Sequence, residues 1–297
     1  MNLQEIRERI RELSGDNSSA TRGEAELFLT SVIDGLPRNA ETAKELTWAY
    51  EQVIQRRLEE GRSARAMRVF RQYIDDCAPA CDETYNRHYL DGLLATGMPA
   101  VPLKRRDRFY SLVQLFRKTS GLEGLVAECG CFRGLSSYLL CATFRDADPG
   151  FDGNGYRIFD SFEGLSAPRA EDRVEGAGPE VETLRQMTRQ GYFSASLDGV
   201  KKSLQSFQGI QYYPGWIPQA FPDEPAARYR FVHVDVDVYQ PTRDCFEYFH
   251  ERLVPGGIIA SDDYNWPGAR KAIEEFCART GAAFEVTPLL QAYIVRR

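Results

Sequence analysis

The sequence predicts an α/β fold: a doubly wound, mostly parallel sheet of seven strands with an antiparallel C-terminal hairpin, preceded by an all-helical N-terminal region. Three observations predict it. From about residue 107 onward, short apolar strands alternate with amphipathic helices, whereas the first 95 residues show only helical periodicity. Too few residues join the last two strands for a helix to lie between them. The composition, 43% hydrophobic and 27% charged, is typical of a globular protein.

The N-terminal region, residues 1–100, contains apolar stripes at helical spacing, which predict helices over about 41–57 and 64–75. The segment GMPAVPLKRR at 97–106 combines two prolines with a basic end, and it marks the boundary to a second domain, residues 101–297. The apolar stripes are expected to pack within the chain or to form a homo-oligomer. The region could also cover a substrate.

The second domain is predicted element by element from its apolar runs and its Gly and Pro residues. Strands are expected at 125–129, 156–160, 210–214, 231–235 and 257–261, with a closing hairpin near 283–287 and 291–296. Helices are expected at about 107–119, 134–144, 197–207, 242–252 and 268–279, the fourth capped by Thr242. The long segment 163–195, rich in Gly, Glu and Arg, is expected to be either a lid over a substrate or an ordinary loop.

Two acidic pairs follow buried strands of this predicted sheet. Asp235 and Asp237 lie in FVHVDVDVYQPT, and Asp262 and Asp263 lie in GGIIASDDYNW. Because ligands of open parallel sheets bind beyond the carboxyl ends of the strands, both pairs should face one crevice. Carboxylates so close together repel one another unless a cation offsets them, and oxygen ligands favour Mg²⁺ or a related divalent ion such as Mn²⁺. The sequence therefore predicts a metal-dependent active site.

A glycine turn follows the first strand, in VAECGCFRGLSS at 126–137. The spacing of Gly130 and Gly134 differs from the G-x-G-x-x-G pattern that holds a pyrophosphate. Together with Glu128, it suits a ligand that has a cationic amino group and no phosphate, such as S-adenosylmethionine. Asp160, at the end of the second strand, is placed either to bind a ribose diol or to cap its own loop.

The overall charge excludes some partners. With a formal net charge of -6, the chain offers no electrostatic reason to bind nucleic acid or an anionic membrane, and no stretch is apolar for long enough to span a bilayer. Cys129, Cys141 and Cys245 fall in elements expected to be buried, which favours reduced thiols and a cytoplasmic location.

The stretch from about Arg106 to the C-terminus resembles the macrocin O-methyltransferase family, which acts on sugars of natural products. The resemblance rests on five motifs in order: VAECGCFRG, FDSFEGL, YPGWIPQAFP, VDVDVYQPT and GGIIASDDYNWPGARKAIEEF. It implies a class I methyltransferase fold, S-adenosylmethionine as methyl donor and a divalent metal, usually Mg²⁺.

The resemblance also implies roles for individual residues. By position in these motifs, the metal ligands would be Asp235, Asp262 and Asp263, and the general base would be Asp237. The cofactor would be lined by Glu128, Gly130, Cys131, Phe132, Gly134, Ser136, Asp160 and Ser161, with Gly215 and Trp216 nearby. Val236 and Pro241 stand where members of the family often have glycine and serine, and both lie beside the expected acceptor, whose identity therefore stays open.

The function expected from the resemblance is methyl transfer from S-adenosylmethionine, with Mg²⁺, to one hydroxyl of a vicinal diol, on a sugar of a natural product or on a glycan. Three alternatives stand beside it. The first is a catechol-type O-methyltransferase, and the second is a phosphatase of the haloacid dehalogenase type, which also uses an Asp-x-Asp motif after a strand. The third is a non-catalytic protein that binds S-adenosylmethionine.

Overall fold

The computed structural model of the protein describes residues 2–14, 22–39, 41–77, 82–98, 105–176 and 178–297. The chain forms two compact units: one spans residues 1–94 and 98–107, and the other spans residues 95–97 and 108–297. The domain boundary expected within 97–106 falls largely on residues 99–104, which lie outside the described residues. The domain boundary therefore stays a prediction.

The first unit is helical. It contains α1 (Leu3–Ser14), α2 (Arg22–Gly35), α3 (Ala43–Glu59), α4 (Ser63–Cys77) and most of α5 (Glu83–Thr96). The apolar stripes of α3 and α4 are buried: Tyr50 and Phe70 are fully covered, and the ring of Tyr50 packs edge-on against Tyr73 with 5.6 Å between centroids. Because these stripes pack inside the unit, they do not by themselves support a homo-oligomer, which stays a prediction.

The second unit is built on a seven-stranded sheet in the order β3-β2-β1-β4-β5-β7-β6. Its strands are β1 (Leu125–Cys129), β2 (Tyr156–Asp160), β3 (Gln211–Pro214), β4 (Tyr229–Val234), β5 (Leu253–Ser261), β6 (Glu285–Val286) and β7 (Ala292–Val295). Strands β1 to β5 pair in parallel, whereas β7 runs antiparallel to both β5 and β6. The predicted fold is confirmed: a doubly wound, mostly parallel sheet with an antiparallel hairpin at one edge.

The helices of the second unit precede β1 or connect these strands. They are α6 (Arg106–Arg117), α7 (Leu135–Ala147), α8 (Pro179–Met187), α9 (Leu197–Ser203), α10 (Tyr239–His250) and α11 (Pro267–Thr280), with a short 3₁₀ turn at Ala170–Asp172. The sequence did not predict α8 or the 3₁₀ turn, both of which lie in the segment 163–195. Their few apolar residues give no clear helical stripe.

The start of α10 differs from the prediction. This helix begins at Tyr239, three residues before the expected cap, and its N-cap residue Val238 has no side-chain group to cap with. The hydroxyl of Thr242 instead donates to the carbonyl of Val238 inside the first turn, at 2.8 Å. The prediction of Thr242 as the helix cap was therefore wrong.

The core of this unit holds β1 and β4 at the centre of the sheet. All six residues of β4, Tyr229–Val234, are buried, as expected for a strand covered by helices on both faces. The thiols of Cys129, Cys141 and Cys245 are buried and free, which fits the expectation of reduced cysteines. Among the described helices, none is both long and apolar enough to cross a membrane.

Candidate functional site

The carboxyl ends of three adjacent strands lie side by side. Cys129 of β1 pairs with Val234 of β4, and Val234 pairs with Ser261 of β5. The next residues continue this arrangement, because the Asp235 N–H donates to the Cys129 carbonyl at 2.8 Å and the Asp262 N–H donates to the Val234 carbonyl at 2.9 Å. The sheet therefore brings the glycine turn and both acidic pairs to one edge.

The acidic cluster at this edge consists of Asp235, Asp237 and Asp263. Each offers a carboxylate oxygen within 4.8 Å of the others. Alternation along a strand would keep Asp235 and Asp237 on one face, but β4 ends at Val234, and Asp237 adopts a left-handed φ of 58°. The turn is held by the Asp237 N–H, which donates to Asp263 Oδ2 at 2.8 Å. We define residues 235–238 as the acidic turn.

The electrostatics of the cluster favour the protonated form of one acid. Burial, together with the neighbouring charges of Asp237, Asp235 and Asp262, holds the pKa of Asp263 well above its usual range. The hydrogen bond from the Asp237 N–H offsets only part of this increase in pKa. The cluster therefore carries unfavourable negative charge that a bound cation would neutralise.

Asp262 is not one of the three described residues that form the cluster. Its Oδ2 is 3.0 Å from Arg108 Nε, and its Oδ1 accepts from Gln291 Nε2 at 2.6 Å. Although burial alone would lower the pKa of Arg108, the charges of Asp262, Asp263 and Asp235 raise it. The expected ligand set, Asp235, Asp262 and Asp263, thus differs by one residue from the three carboxylates that the structure brings together.

Glu128, expected to line the cofactor, is fully buried at the end of β1. Its Oε2 accepts from the hydroxyls of Ser137 and Tyr156, the latter at 3.0 Å, and its Oε1 lies 2.9 Å from His233 Nδ1. Burial by itself would lower the pKa of His233, but the hydrogen bond and the charge of Glu128 raise it. Both carboxylate oxygens are therefore occupied by a buried network that joins β1, α7, β2 and β4.

The glycine turn approaches the acidic turn closely. Gly130 has a φ of 81°, and a Cβ built there would lie 1.9 Å from the Asp235 carbonyl oxygen. No other residue type fits at this position, since any side chain would collide with backbone. Gly134 has a φ of 89° and directly precedes α7, in which Ser136 is buried.

Asp160 binds the loop between the two glycines. Its Oδ2 accepts from the Cys131 N–H and its Oδ1 from the Phe162 N–H, both at 2.7 Å. Its own carbonyl accepts from the Gly215 N–H at 2.9 Å. Loop capping, one of the two roles expected for Asp160, is therefore observed, and three predicted cofactor residues meet here.

The remaining predicted residues lie in the same group of loops. The hydroxyl of Ser161 donates to the Gly164 carbonyl at 2.8 Å and accepts from the Glu163 N–H, which shapes the start of the segment 163–195. Phe132 has a left-handed φ of 47°, and its ring packs edge-on against Phe193, with 5.4 Å between centroids. Trp216 is half-buried in the loop after β3.

Sequence reasoning missed two polar residues at the acidic edge, Arg108 and Gln291. Arg108 lies early in α6 and Gln291 just before β7, so both are distant in sequence from the acids that they contact. The basic run before α6 was interpreted only as a domain boundary. The position of Gln291 in the hairpin, whose β7 strand runs beside β5, was the available signal, because that pairing brings residue 291 to the end of β5.

Comparison with known proteins gives a family match and distant relatives. The chain matches the family described as Macrocin-O-methyltransferase (TylF) over residues 77–289. It is 26% identical over 193 residues to the 8-demethyl-8-(2,3-dimethoxy-alpha-L-rhamnosyl)-tetracenomycin-C 4'-O-methyltransferase of Streptomyces olivaceus, covering 64% of this chain and 71% of that protein. It is 27% identical over 175 residues to the Mycinamicin III 3''-O-methyltransferase of Micromonospora griseorubida, covering 57% and 66%. The aligned part is thus about two thirds of each relative.

Solved structures show the same fold. The O-methyltransferase NovP superposes with a TM-score of 0.52 at 20% identity, covering 64% of this chain and 79% of NovP. The calicheamicin methyltransferase CalS11 superposes with a TM-score of 0.54 at 18% identity, covering 73% of this chain and 94% of CalS11.

Proposed function

Because the chain belongs to the macrocin-O-methyltransferase family and is thus an S-adenosylmethionine-dependent O-methyltransferase, we propose that it methylates a sugar hydroxyl of a natural product with the help of a divalent cation. The observation that carries the proposal is the acidic cluster at the carboxyl edge of the sheet, beside the glycine turn. Family membership removes two of the alternatives, the phosphatase and the non-catalytic binder. A cytoplasmic location and a homo-oligomer remain predictions.

The chemistry of the acidic cluster suits a hard divalent cation. Three carboxylate oxygens lie within 4.8 Å of one another, and burial together with their mutual repulsion raises the pKa of Asp263. Mg²⁺ and Mn²⁺ prefer such oxygen ligands. When bound, the ion would lower the pKa of an acceptor hydroxyl and orient it. The positive charge of the ion would then offset the repulsion among these acids.

We assign Asp235, Asp262 and Asp263 as ligands and Asp237 as the base that takes the proton of the acceptor hydroxyl. An ionised carboxylate has about four lone-pair sites, so the two present partners of Asp262 leave it able to bind a cation. The rival assignment places Asp237 among the ligands instead, and it is favoured by the position of Asp237 inside the cluster. Both assignments share Asp235 and Asp263.

Two asparagine variants separate these assignments. If Asp237 is the base, Asp237→Asn binds Mn²⁺ as wild type does, measured by electron paramagnetic resonance, but loses turnover by about 10²–10⁴-fold. Asp262→Asn would then weaken Mn²⁺ binding. The reverse pattern, with Mn²⁺ lost in Asp237→Asn and kept in Asp262→Asn, would establish the rival ligand set.

For the cofactor, we propose that S-adenosylmethionine binds along the loops that follow β1, β2 and β3, against residues 130–136, Asp160, Ser161, Gly215 and Trp216. Asp160 holds the Cys131 N–H, so it fixes the glycine turn that a ligand would approach. Glu128 would support the site indirectly, because its buried hydrogen-bond network fixes the end of β1. Direct contact between the Glu128 carboxylate and the cofactor, as expected from the sequence, stays a prediction.

The acceptor proposed for the site carries two adjacent oxygens, of which one is a hydroxyl. The name of the Streptomyces olivaceus relative describes a rhamnosyl sugar that already has methoxy groups at positions 2 and 3 and is methylated at position 4'. A neighbouring ether oxygen therefore replaces the second hydroxyl in that acceptor. We accordingly extend the expected vicinal diol to a vicinal oxygen pair. A catechol-type aromatic diol meets the same requirement and remains the second candidate.

The experiment that tests the proposal is calorimetric titration of S-adenosylmethionine, and then of S-adenosylhomocysteine, into the protein with EDTA or with Mg²⁺. Micromolar binding supports the cofactor site. Turnover is then screened with Mg²⁺ on rhamnosides with free or methylated neighbouring positions, and on catechol as the aromatic comparison. Absence of cofactor binding in both conditions would refute the proposed site, and equal turnover in EDTA and Mg²⁺ would refute the role of the cation.

A further inference from the structure

A buried aspartate from the segment 163–195 lies at the start of α10. Asp172, the last residue of the 3₁₀ turn, is 5% exposed. Its Oδ1 accepts from the Tyr239 N–H and its Oδ2 accepts from the Arg169 N–H, both at 2.7 Å. One carboxylate therefore joins the segment 163–195 to the first residue of α10.

This contact replaces a missing helix cap. The first N–H groups of a helix have no partner within the helix, and the N-cap residue Val238 has no side-chain acceptor for them. Asp172 supplies an acceptor, and its negative charge lies at the favourable end of the helix dipole. The sequence shows no cap at this position because the cap comes from a residue 67 positions earlier.

The acidic turn is thus held at two points. In its middle, the Asp237 N–H donates to Asp263, and just after its end, the Tyr239 N–H donates to Asp172. The residue between these two N–H groups, Val238, is buried. Asp237 has a left-handed φ of 58°, a conformation that persists only when its surroundings fix it.

A third element is shaped around the same carboxylate. A Cβ built on Gly268, in the first turn of α11, would lie 1.8 Å from Asp172 Oδ1 and 3.0 Å from the Tyr239 nitrogen. Gly268 thus leaves the space that the Asp172 carboxylate occupies. The short side chain of Asp172 is held by two N–H donors, so it cannot move aside without losing one of them.

Exposed contacts flank this buried one. Arg169 Nη1 donates to Gln240 Oε1 at 2.6 Å, and Lys271 Nζ lies 3.7 Å from Glu171 Oε1. Solvent-exposed pairs of this kind contribute little, whereas a buried, charged acceptor of backbone N–H groups contributes more. The attachment of the segment to α10 therefore depends mainly on Asp172.

We propose that Asp172 is a positioning residue that couples the segment 163–195 to the acidic turn, so that the segment and Asp237 become ordered together. The inference rests on the proposed function, because it concerns the same acidic turn. It gives the segment 163–195 a role in holding the base and the cation ligands, in addition to any covering of the acceptor. Loss of the Asp172 contact frees the Tyr239 N–H and loosens the turn that carries Asp235 and Asp237.

The test compares Asp172→Ala, Asp172→Asn and Gly268→Ala with two matched controls. Glu171→Ala removes the neighbouring acid and its contact with Lys271. Gly35→Ala changes a helical glycine whose Cβ would meet nothing within 4 Å. Hydrogen exchange is followed by mass spectrometry on peptides covering 235–245, Mn²⁺ affinity by electron paramagnetic resonance, and S-adenosylmethionine affinity by calorimetry.

The expected result is faster exchange in 235–245 and weaker Mn²⁺ binding in Asp172→Ala, each by about fivefold to tenfold, the size of a lost N-cap. Asp172→Asn should be intermediate, since its amide oxygen can accept from only one of the two N–H donors. Gly268→Ala should resemble Asp172→Ala. Adding Gly268→Ala to Asp172→Ala should cause little further change, because no carboxylate remains to be displaced. Both controls should match wild type.

Two outcomes would overturn the inference. One is unchanged exchange and Mn²⁺ affinity in both Asp172→Ala and Gly268→Ala. The other is a general increase in exchange across β1 and β4, which would mean that Asp172 contributes only to overall stability. A wild-type protein that binds no S-adenosylmethionine would refute the proposed function instead, while the exchange data would still decide the role of Asp172.

Discussion

The acidic cluster should destabilise the folded protein when no cation is present. We predict that Asp237→Asn makes the metal-free protein more stable than wild type. Asn keeps the size of the side chain, and it tolerates the left-handed φ of 58° better than most residues do. The substitution therefore removes one negative charge from the cluster and leaves the backbone of the acidic turn undisturbed.

The magnitude follows from the separation of the carboxylates. Two unit charges 4.8 Å apart repel by about 3.5 kcal/mol at an effective dielectric constant of about 20. Asp237 has two such neighbours, but Asp235 and Asp237 are half-buried, and the raised pKa of Asp263 keeps part of its charge neutralised. After solvent screening, we expect Asp237→Asn to raise the free energy of unfolding by about 1–3 kcal/mol.

The assay must report the second unit alone, because the chain has two compact units. Native-state hydrogen exchange of the buried strands β4 and β5, at neutral pH in EDTA, gives the free energy of opening for that unit. Saturating Mg²⁺ stabilises any folded protein that binds it, so it should leave the difference in place if Asp237 is the base, and it should reduce or reverse the difference if Asp237 is a ligand. Asp223→Asn, which changes an exposed aspartate, is the matched control. If Asp237→Asn is no more stable than wild type in EDTA, the carboxylates do not repel one another as argued.

Three further predictions follow from neighbouring contacts. Asp262→Asn should have the opposite effect and lower the free energy of unfolding in EDTA by about 1–3 kcal/mol, because it leaves the largely buried Arg108 without its charged partner. The same exchange experiment measures this change. Folding raises the pKa of Asp263, so the folded state retains a proton that the unfolded chain loses above about pH 4. The free energy of unfolding in EDTA should therefore fall as pH rises through the folded-state pKa. The same exchange experiment across pH should show this slope, and Mg²⁺ or Asp263→Asn should remove it. In the same exchange experiment, Gly130→Ala should cost about 2–4 kcal/mol more than Gly155→Ala. Their φ values, 81° and 82°, are alike, but of the two only Gly130 would place the new Cβ within 3 Å of backbone.

The strands of the second unit were predictable because each is a short apolar run bounded by glycine, proline or charge. The order of strands was not in the local pattern: the alternation of strands and helices and the family resemblance predicted a doubly wound sheet, and the structure supplied the order. The resulting neighbours, β1, β4 and β5, explain why residues near 130, 235 and 262 meet. The meeting of these residues at one edge of the sheet was therefore predictable from sequence.

The roles of individual acids were harder to predict, since they depend on partners that are remote in sequence. Nothing near Asp262 shows that Arg108 and Gln291 will bind it. Likewise, Glu128 lies near the end of a strand as a ligand-binding acid would, but its burial is explained by Ser137 of α7 and by Tyr156 and His233 on the adjacent strands. Acidic residues at strand ends thus indicate a site, whereas tertiary contacts decide which of them face a ligand.

Backbone strain provides an independent argument that this edge of the sheet is pre-organised. Among the described residues, five other than glycine have positive φ. Three of them, Phe132, Phe162 and Asp237, lie in loops that follow β1, β2 and β4, and a fourth, Phe193, follows α8 and packs against Phe132. Phenylalanine has no polar group to stabilise a left-handed conformation locally, so each costs of order 1–2 kcal/mol that surrounding contacts must offset. The edge-on contact between Phe132 and Phe193 and the hydrogen bonds that Asp160 and Asp263 accept from strained residues or their neighbours provide that compensation. Strain and like-charge repulsion occur together at this edge, where stability is given up for a geometry that a bound cofactor and cation would complete.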